Sequence, residues 1–552
     1  MTVGTFSLVL HSHLPYYRKA GKWPFGEENL FEAIAETYLP LLNAFNALRA
    51  EGIQAKVTLG ITPILAEQLA DEYLKEGFEA YMSDVLDRIE LDRERYEGTG
   101  DPRAELADFY HDWYRDRLHD FQETYARDLL GAFRALQDDG CLEIITSAAT
   151  HGFSPLLSRD SSLSAQFKVG VDNYKKYFGR APRGVWLPEC AYRPGYEEGE
   201  TYRPPIDQFL HENGLNYFFT DSHAVEGGKT AGYRRYIGLY GNIEYIPMPE
   251  RPLSGLTTYQ GYWMPENPVA VFARNEAAGY QVWSAAEGYP GDPWYREFHK
   301  RDGHSGLQYW RVTGPNCDLA DKDFYNPQLA AQRVHENSDH YVGLIYDMLK
   351  RYQEASGEEG HIVVPFDTEL FGHWWFEGVE WIKQVIRKMA KGSGIRRVTV
   401  GEVVESEPPS HAYQLPESTW GAGGHYHVWM NPDVEFMWPI IHRCEERMEE
   451  LVRRVPTPAT PLQERALNQA ARELLLLEGS DWPFLVTTGQ AKAYAVERFN
   501  DHVDRFDTLV DAILAGTLDE ETVAEIEGID NAFSEIDYRD FANRQARAGV
   551  KS

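Results

Sequence analysis

Residues 6–13, Phe-Ser-Leu-Val-Leu-His-Ser-His, decide the fold. A short apolar run that ends in two histidines reads as a buried strand delivering polar side chains at its carboxyl end. Just downstream, Leu30, Phe31, Ile34, Tyr38, Leu41, Leu42, Phe45 and Leu48 recur on one helical face, with Pro40 predicting a kink. A second apolar run follows at 55–59, so the order strand, helix, strand gives a βαβ unit. Further runs bounded by turn residues lie at 142–146, 185–187, 217–220, 362–366 and 398–400, which makes seven strand candidates. Continuous apolar strands separated by helical patterns predict a parallel sheet covered by helices, either a barrel or a doubly wound sheet.

Two gaps between these runs are too long for ordinary connections. Residues 64–140 carry Leu106, Phe109, Tyr110, Trp113, Phe121, Tyr125, Leu129, Leu130 and Phe133 at helical spacing amid dense charge, which predicts a helical insertion with its own small core. Residues 221–361 are rich in Gly, Pro, Trp and Tyr, the composition of long loops that shape a site. Beyond about 405, after Pro-rich segments, amphipathic patterns run through Leu467, Leu474 and Leu475 and through Tyr494, Phe499, Val503, Phe506, Val510 and Ile513. The expected division is therefore a discontinuous catalytic part at 1–63 and 141–405, an insertion at 64–140, and an α-helical C-terminal domain at 406–552. The acidic stretch 519–537 reads as a solvated helical face.

Composition narrows the function classes. The 552 residues include 54 Lys plus Arg against 86 Asp plus Glu, a formal charge of −32. Such a surface repels phosphate backbones and anionic headgroups, so nucleic acid and membrane are excluded as partners on electrostatic grounds. No window approaches the roughly 18 consecutive apolar residues of a membrane span, and the N-terminus lacks a basic region and a small-residue cleavage site. Cys141, Cys190, Cys317 and Cys444 lie far apart with no Cys-x-x-Cys, which fits neither a disulfide framework nor a thiolate zinc site. A cytoplasmic protein, monomeric or dimeric, is expected.

Polar residues follow five of the seven strand candidates: His11-Ser12-His13, Thr150-His151, Pro188-Glu189-Cys190, Asp221-Ser222-His223 and Asp367-Thr368-Glu369. In parallel α/β folds the carboxyl ends of the strands share one face, where catalysis takes place. Glu189 and Asp367 stand among apolar and aromatic residues, so desolvation raises the pKa of each and a close pair drives the two values apart. One ionised and one protonated carboxyl is what glycosidic chemistry needs, and retaining enzymes hold the pair about 5–5.5 Å apart. Several of the 14 tryptophans, among them Trp263, Trp283, Trp420 and Trp429, sit in Gly- and Pro-containing sequence, where indole faces suit the C–H faces of sugars. His11-x-His13 also reads as a pair of metal ligands, since residues two apart on a strand face the same side. The segment HENSDH at 335–340 is not a zinc helix, because His335 and His340 diverge by about 140°. No Walker A loop and no strand followed by Gly-x-Gly-x-x-Gly is present, so a nucleotide cofactor has no support.

Five strings occur together and in order: HSHLPY at 11–16, GITP at 60–63, WLPECAY at 186–192, FDTELFGHWW at 366–375 and EGSDWPF at 478–484. They resemble the ordered motifs of glycoside hydrolase family 57, and within it most resemble the 1,4-α-glucan branching enzymes. The resemblance spans residues 6 to about 505. It implies an incomplete (β/α)7 barrel with a helical insertion and an all-α C-terminal domain that contributes to the cleft, an α-glucan substrate, and no cofactor or metal. By resemblance Glu189 is the nucleophile and Asp367 the acid/base. His11, His13 and His151 stand near the catalytic subsite, Trp283, Trp420 and Trp429 line the glucan groove, and Asp481 comes from the helical domain. A loop tyrosine that favours transfer over hydrolysis corresponds to Tyr233 or Tyr236. The same carboxylates would serve a family 57 α-amylase or 4-α-glucanotransferase. A reading from a different class is a metal-dependent deacetylase or amidohydrolase using His11, His13 and Asp221.

Overall fold

The computed structural model describes residues 2–199, 201–228, 233–237, 242–246, 250–284 and 288–543. Strand Gly4–Ser12 (β1) lies in the middle of a curled parallel sheet, and all nine of its residues are buried. One edge of β1 pairs with Val57–Ile61 (β2), which pairs in turn with Leu142–Ser147 (β3), followed by Val185–Trp186 (β4). A bridge from Gly184 to Tyr217 carries the curl to Tyr217–Thr220 (β5), itself parallel to Ala270–Ala273 (β6). The other edge of β1 pairs with Gly360–Asp367 (β7), in a register that sets His11 opposite Asp367. Between β6 and β7 the seam is spanned by a hydrogen bond from Asn275 N to Val363 O, 2.9 Å. Seven parallel strands thus form an incomplete (β/α)7 barrel. Burial on both faces explains why its strands read as unbroken apolar runs.

The strand set differs from the sequence expectation at two places. Val398–Val400 is not a strand. The short strand is Ile395–Arg397 (β8), which pairs with Gly4–Phe6 of β1, and Thr399 instead caps the helix Val400–Ser406 in a capping box with Glu402. The strand β6 was not expected, because only four residues of it stand within a Gly- and Pro-rich stretch.

Pro40 has the effect its chemistry predicts. It cannot donate to the carbonyl one turn back, and the helix runs through a π-helical turn, Ile34–Tyr38, between Glu27–Ala33 and Leu39–Ala50. That turn faces the site, since Tyr38 reaches Glu369.

Residues 64–140 are helical, chiefly Glu72–Tyr96, Arg103–His119 and Leu129–Asp138. Phe78, Met82, Leu106, Tyr110 and Phe133 are buried in the same apolar cluster as the barrel helices, so this core is not separate. Beyond 436 come the helices Met437–Arg454, Pro461–Leu477, Asp481–Thr488, Lys492–Ala515 and Glu520–Ile529. The acidic stretch is only partly a solvated face: Val523 and Ile526 are buried, and Asp530 is fully buried. Asp530 meets Arg505 at 2.7 Å beside the pair His502 Nδ1 and Glu473 Oε2 at 2.8 Å, fastening the last helices together.

Candidate active site

Glu189 stands on a tight turn directly after β4. Pro188 holds Leu187 extended, and Glu189 and Cys190 both adopt left-handed backbone, with φ of 62° and 49°. His151, after β3, does the same at 57°. Such conformations cost about 1–3 kcal/mol each in non-glycine residues and persist where the surroundings fix them. Here they set Glu189 beside His151, 3.9 Å apart.

Glu189 Oε2 accepts a hydrogen bond from Trp420 Nε1 at 2.9 Å, and Oε1 accepts one from Ser480 Oγ at 3.1 Å. Ser480 is also 2.8 Å from His151 Nδ1, whose ring lies 3.9 Å from Glu189 Oε1. His151 Nε2 touches His11 Nε2 at 3.1 Å, and the His11 ring stacks on Trp186 with centroids 4.4 Å apart. His13 stacks on His151 at 3.9 Å, bonds Thr62 through Nδ1 at 3.1 Å, and meets Asp481 through Nε2 at 3.2 Å. The structure therefore brings together Glu189, His11, His13, His151, Trp420 and Asp481. Asp367, at the open end of β7, joins them through its register with His11 and through its charge interaction with Glu189.

Electrostatics separate the two carboxyls. Burial raises the Glu189 pKa to about 7, while the bonds from Trp420 and Ser480 work the other way. Burial also raises Asp367 well above the usual carboxylate range, and Glu369 and Glu189 push it further. The two hydrogen bonds to Glu189 favour its ionised form, whereas the carboxyls of Glu369 and Glu189 beside Asp367 favour its protonated form. Burial drives His11 and His151 well below the ordinary imidazole value, so both are neutral. In His13 burial acts downward but is overcome by Asp481, so its pKa is raised.

Three neighbours were not singled out from the sequence. Glu369 accepts from the Tyr38 hydroxyl and from His13 N at 3.3 Å, and burial raises it to about 7. Its place two residues after Asp367 was the available signal. Ser480 and Thr62 have neutral side chains whose partners lie far away in the chain, and only their places within the EGSDWPF and GITP strings marked them.

The tryptophans divide. Trp420 and Trp283 are partly exposed and meet edge to face at 6.1 Å, with Trp283 also against Phe366, so both wall the site. Trp429 is only 1% exposed and stacks on Phe153 at 4.7 Å. The expectation that it offers a face to glucan is corrected: its ring is used up in packing beneath the cleft. Tyr233 and Tyr236 fall on a strand, Tyr233–Ile237, whose side chains lie outside the described residues.

Asp221 is held by Arg274 in a two-pronged ion pair of 3.0 and 2.9 Å and accepts from Ser222 N at 2.7 Å. Among the described residues, His11, His13 and Asp221 do not form a cluster with metal-ligand spacing.

The Trp420 bond is testable by itself. Trp420→Phe keeps the aromatic wall and removes the N–H that lowers the Glu189 pKa. The acid limb of kcat/KM is expected to move to higher pH, with kcat reduced by about tenfold, as for loss of a hydrogen bond to a charged group. An unchanged acid limb in a pH–rate series would contradict this role.

Comparison with known proteins gives two family matches. Residues 7–416 match glycosyl hydrolase family 57, and residues 440–541 match the C-terminal domain of 1,4-α-glucan branching enzymes. A 1,4-α-glucan branching enzyme of Thermococcus kodakarensis is 44% identical over 543 residues, which cover 97% of this chain and 78% of that one. The crystal structure of a branching enzyme of Pyrococcus horikoshii superposes with a TM-score of 0.87 at 43% identity, covering 98% of this chain and 97% of that chain. The α-amylase AmyC of Thermotoga maritima superposes with a TM-score of 0.82 at 34% identity, covering 98% and 99%.

Proposed function

The chain belongs to glycosyl hydrolase family 57, and from that premise we propose that it is a 1,4-α-glucan branching enzyme that cuts α-1,4 links and forms α-1,6 branches with retention of configuration. One observation carries the reading. The segment that matches the branching-enzyme C-terminal domain delivers Ser480 to Glu189 and Asp481 to His13, so the helical part completes the barrel's catalytic cluster.

The proposed mechanism follows from the proton inventory. Ionised Glu189 attacks the anomeric carbon of an internal glucose unit while Asp367 gives its proton to the departing 4-oxygen. The C–O bond to the leaving chain breaks as the bond to Glu189 forms, leaving a covalent glucosyl ester and an Asp367 carboxylate. That carboxylate takes the proton of an incoming 6-hydroxyl, whose oxygen displaces Glu189, and the two inversions sum to retention. The bonds from Trp420 and Ser480 hold Glu189 in line, and the Trp283 and Trp420 walls favour a sugar acceptor over water.

The substrate is proposed to be a glycogen-type α-glucan. The proposed compartment is the cytoplasm, in keeping with four free cysteines, and no helix among the described residues is long and apolar enough to cross a membrane. The similarity to AmyC favours one second reading, hydrolysis by the same carboxyl pair. The test is to follow amylose by iodine staining and by reducing ends together. Branching lowers the stain while reducing ends stay nearly constant. A parallel rise in reducing ends selects the amylase reading.

A further inference from the structure

Behind the catalytic cluster lie two acids that the mechanism does not use. Glu445, on the helix Met437–Arg454, and Glu478, which caps the helix Pro461–Leu477, are each 1% exposed. Glu445 accepts from Ser158 N at 3.0 Å, from Ser158 Oγ at 2.6 Å and from Arg159 N at 3.2 Å. Glu478 Oε2 accepts from Gln166 Nε2 at 2.7 Å, Oε1 has no hydrogen bond that meets the same geometry, and the Ser162 hydroxyl lies near enough to interact with the carboxyl.

Among the described residues neither acid has a salt-bridge partner. The Arg159 guanidinium turns outward to Glu446 at 3.0 Å, and that of Arg203 is taken by Asp160 at 3.1 Å. The helix Asp160–Phe178 presents only Gln166 and Ser162 to Glu478, and Thr150 is a neutral hydroxyl. His442, one turn before Glu445, bonds the Leu156 carbonyl at 2.9 Å, and its charged form would favour an ionised Glu445 rather than an ionised Glu478. A buried carboxyl with no counter-ion is favoured in its neutral form, and the Ser162 hydroxyl can accept its proton in a hydrogen bond.

Position gives this proton a consequence. Glu478 opens the turn Glu478-Gly479-Ser480-Asp481. Gly479 bridges Gly152, Ser480 N donates to His151 O at 3.0 Å, and Phe153 N donates to Glu478 O at 3.4 Å. Gln166 clamps both sides, bonding Thr150 Oγ1 at 2.9 Å as well as Glu478. We propose that Glu478 is a positioning residue acting as a neutral carboxylic acid: buried, without a salt bridge among the described residues and clamped by Gln166, it fixes the turn that sets Ser480 on Glu189 and Asp481 on His13. The inference rests on the catalytic reading of Glu189.

Burial and the neighbouring Glu445 raise the Glu478 pKa well above the carboxylate range. The folded state therefore keeps a proton that the unfolded chain gives up. The stabilisation is complete below the unfolded value, about 4.3, and is lost as pH rises through the folded one. Gln mimics the neutral acid and cannot ionise.

The test uses full-length Glu478→Gln and Glu478→Ala, with kcat and KM on amylose and Tm from mildly acidic to mildly alkaline pH. Glu478→Ala is expected to lower kcat by about tenfold or more with KM within about twofold, as for a small misplacement of catalytic groups, and Glu478→Gln to restore kcat to within about threefold. The Gln variant should also lose less Tm than the parent as pH rises. A folded Gln variant as slow as the Ala variant, an Ala variant with parental kcat, or an unchanged dependence of Tm on pH each overturns the proposal. If Glu478→Ala does not fold, the Gln variant decides by its kcat and its Tm profile, and failure of the Gln variant to fold overturns it too. A parent protein that makes no branches defeats the functional reading instead, and the Tm profiles still judge the proton on Glu478.

Discussion

Glu189→Gln is expected to leave a folded protein whose branching rate is lower by about 10⁴-fold or more, as for loss of a nucleophile. The amide keeps the shape of the carboxyl and can still accept from Trp420, while Ser480 Oγ can reverse and accept from the new NH2. Stability is therefore expected to change by about 1 kcal/mol or less. What disappears is the oxygen that forms the bond to the anomeric carbon, and no other carboxylate takes its position on the turn after β4. The measurement is turnover on amylose beside a thermal melt. Retention of more than a few per cent of activity in a protein with parental Tm would contradict the nucleophile assignment.

Asp367→Asn is expected to lower turnover on amylose by about 10²–10⁴-fold, the range for loss of general acid–base catalysis. The consequences differ from those at Glu189 because the two groups act at different bonds. A substrate with a good leaving group, such as an aryl α-glucoside, needs little protonation, so the Asn variant should recover its first step and then stall before transfer. Glu189→Gln should gain nothing from the same substrate. The pH profile carries the second signature. In the parent, kcat/KM falls as pH drops through the Glu189 value of about 7, and falls again on the high-pH limb as Asp367 loses its proton. The Asn variant should lack the high-pH limb. A high-pH limb that persists unchanged would move the acid role elsewhere, with Glu369 the nearest candidate, since burial raises it to about 7 as well.

The barrel was legible because parallel strands buried on both faces leave apolar runs that end in polar residues. FSLVL before His11 and IVVPF before Asp367 show both features. Where a strand is short, the signal fades: β6 offers four residues between a Pro-containing turn and a capped helix. At Val398-Thr399-Val400 two β-branched residues flank a cap, and the local capping box with Glu402 prevails over β propensity. Within the site, Glu189 and Asp367 could be picked out because ionisable groups among aromatics are rare. Ser480 could not, since its hydroxyl gains meaning only from a glutamate 291 residues away. Trp429 shows the converse limit. Its loop sequence resembles that of Trp420, yet Phe153 covers the Trp429 ring while Trp420 stays partly exposed, a difference of tertiary packing alone.

The central claim is that this carboxyl pair transfers glucan to a 6-hydroxyl and does not simply release it to water. The most direct measurement incubates the purified protein with linear amylose, stops it by heat, and counts reducing ends before and after isoamylase, against amylose treated with isoamylase alone. The expected result is few reducing ends before isoamylase and a large increase after it, from chains held by new α-1,6 links. Reducing ends that appear before isoamylase, with no further release afterwards, would contradict it.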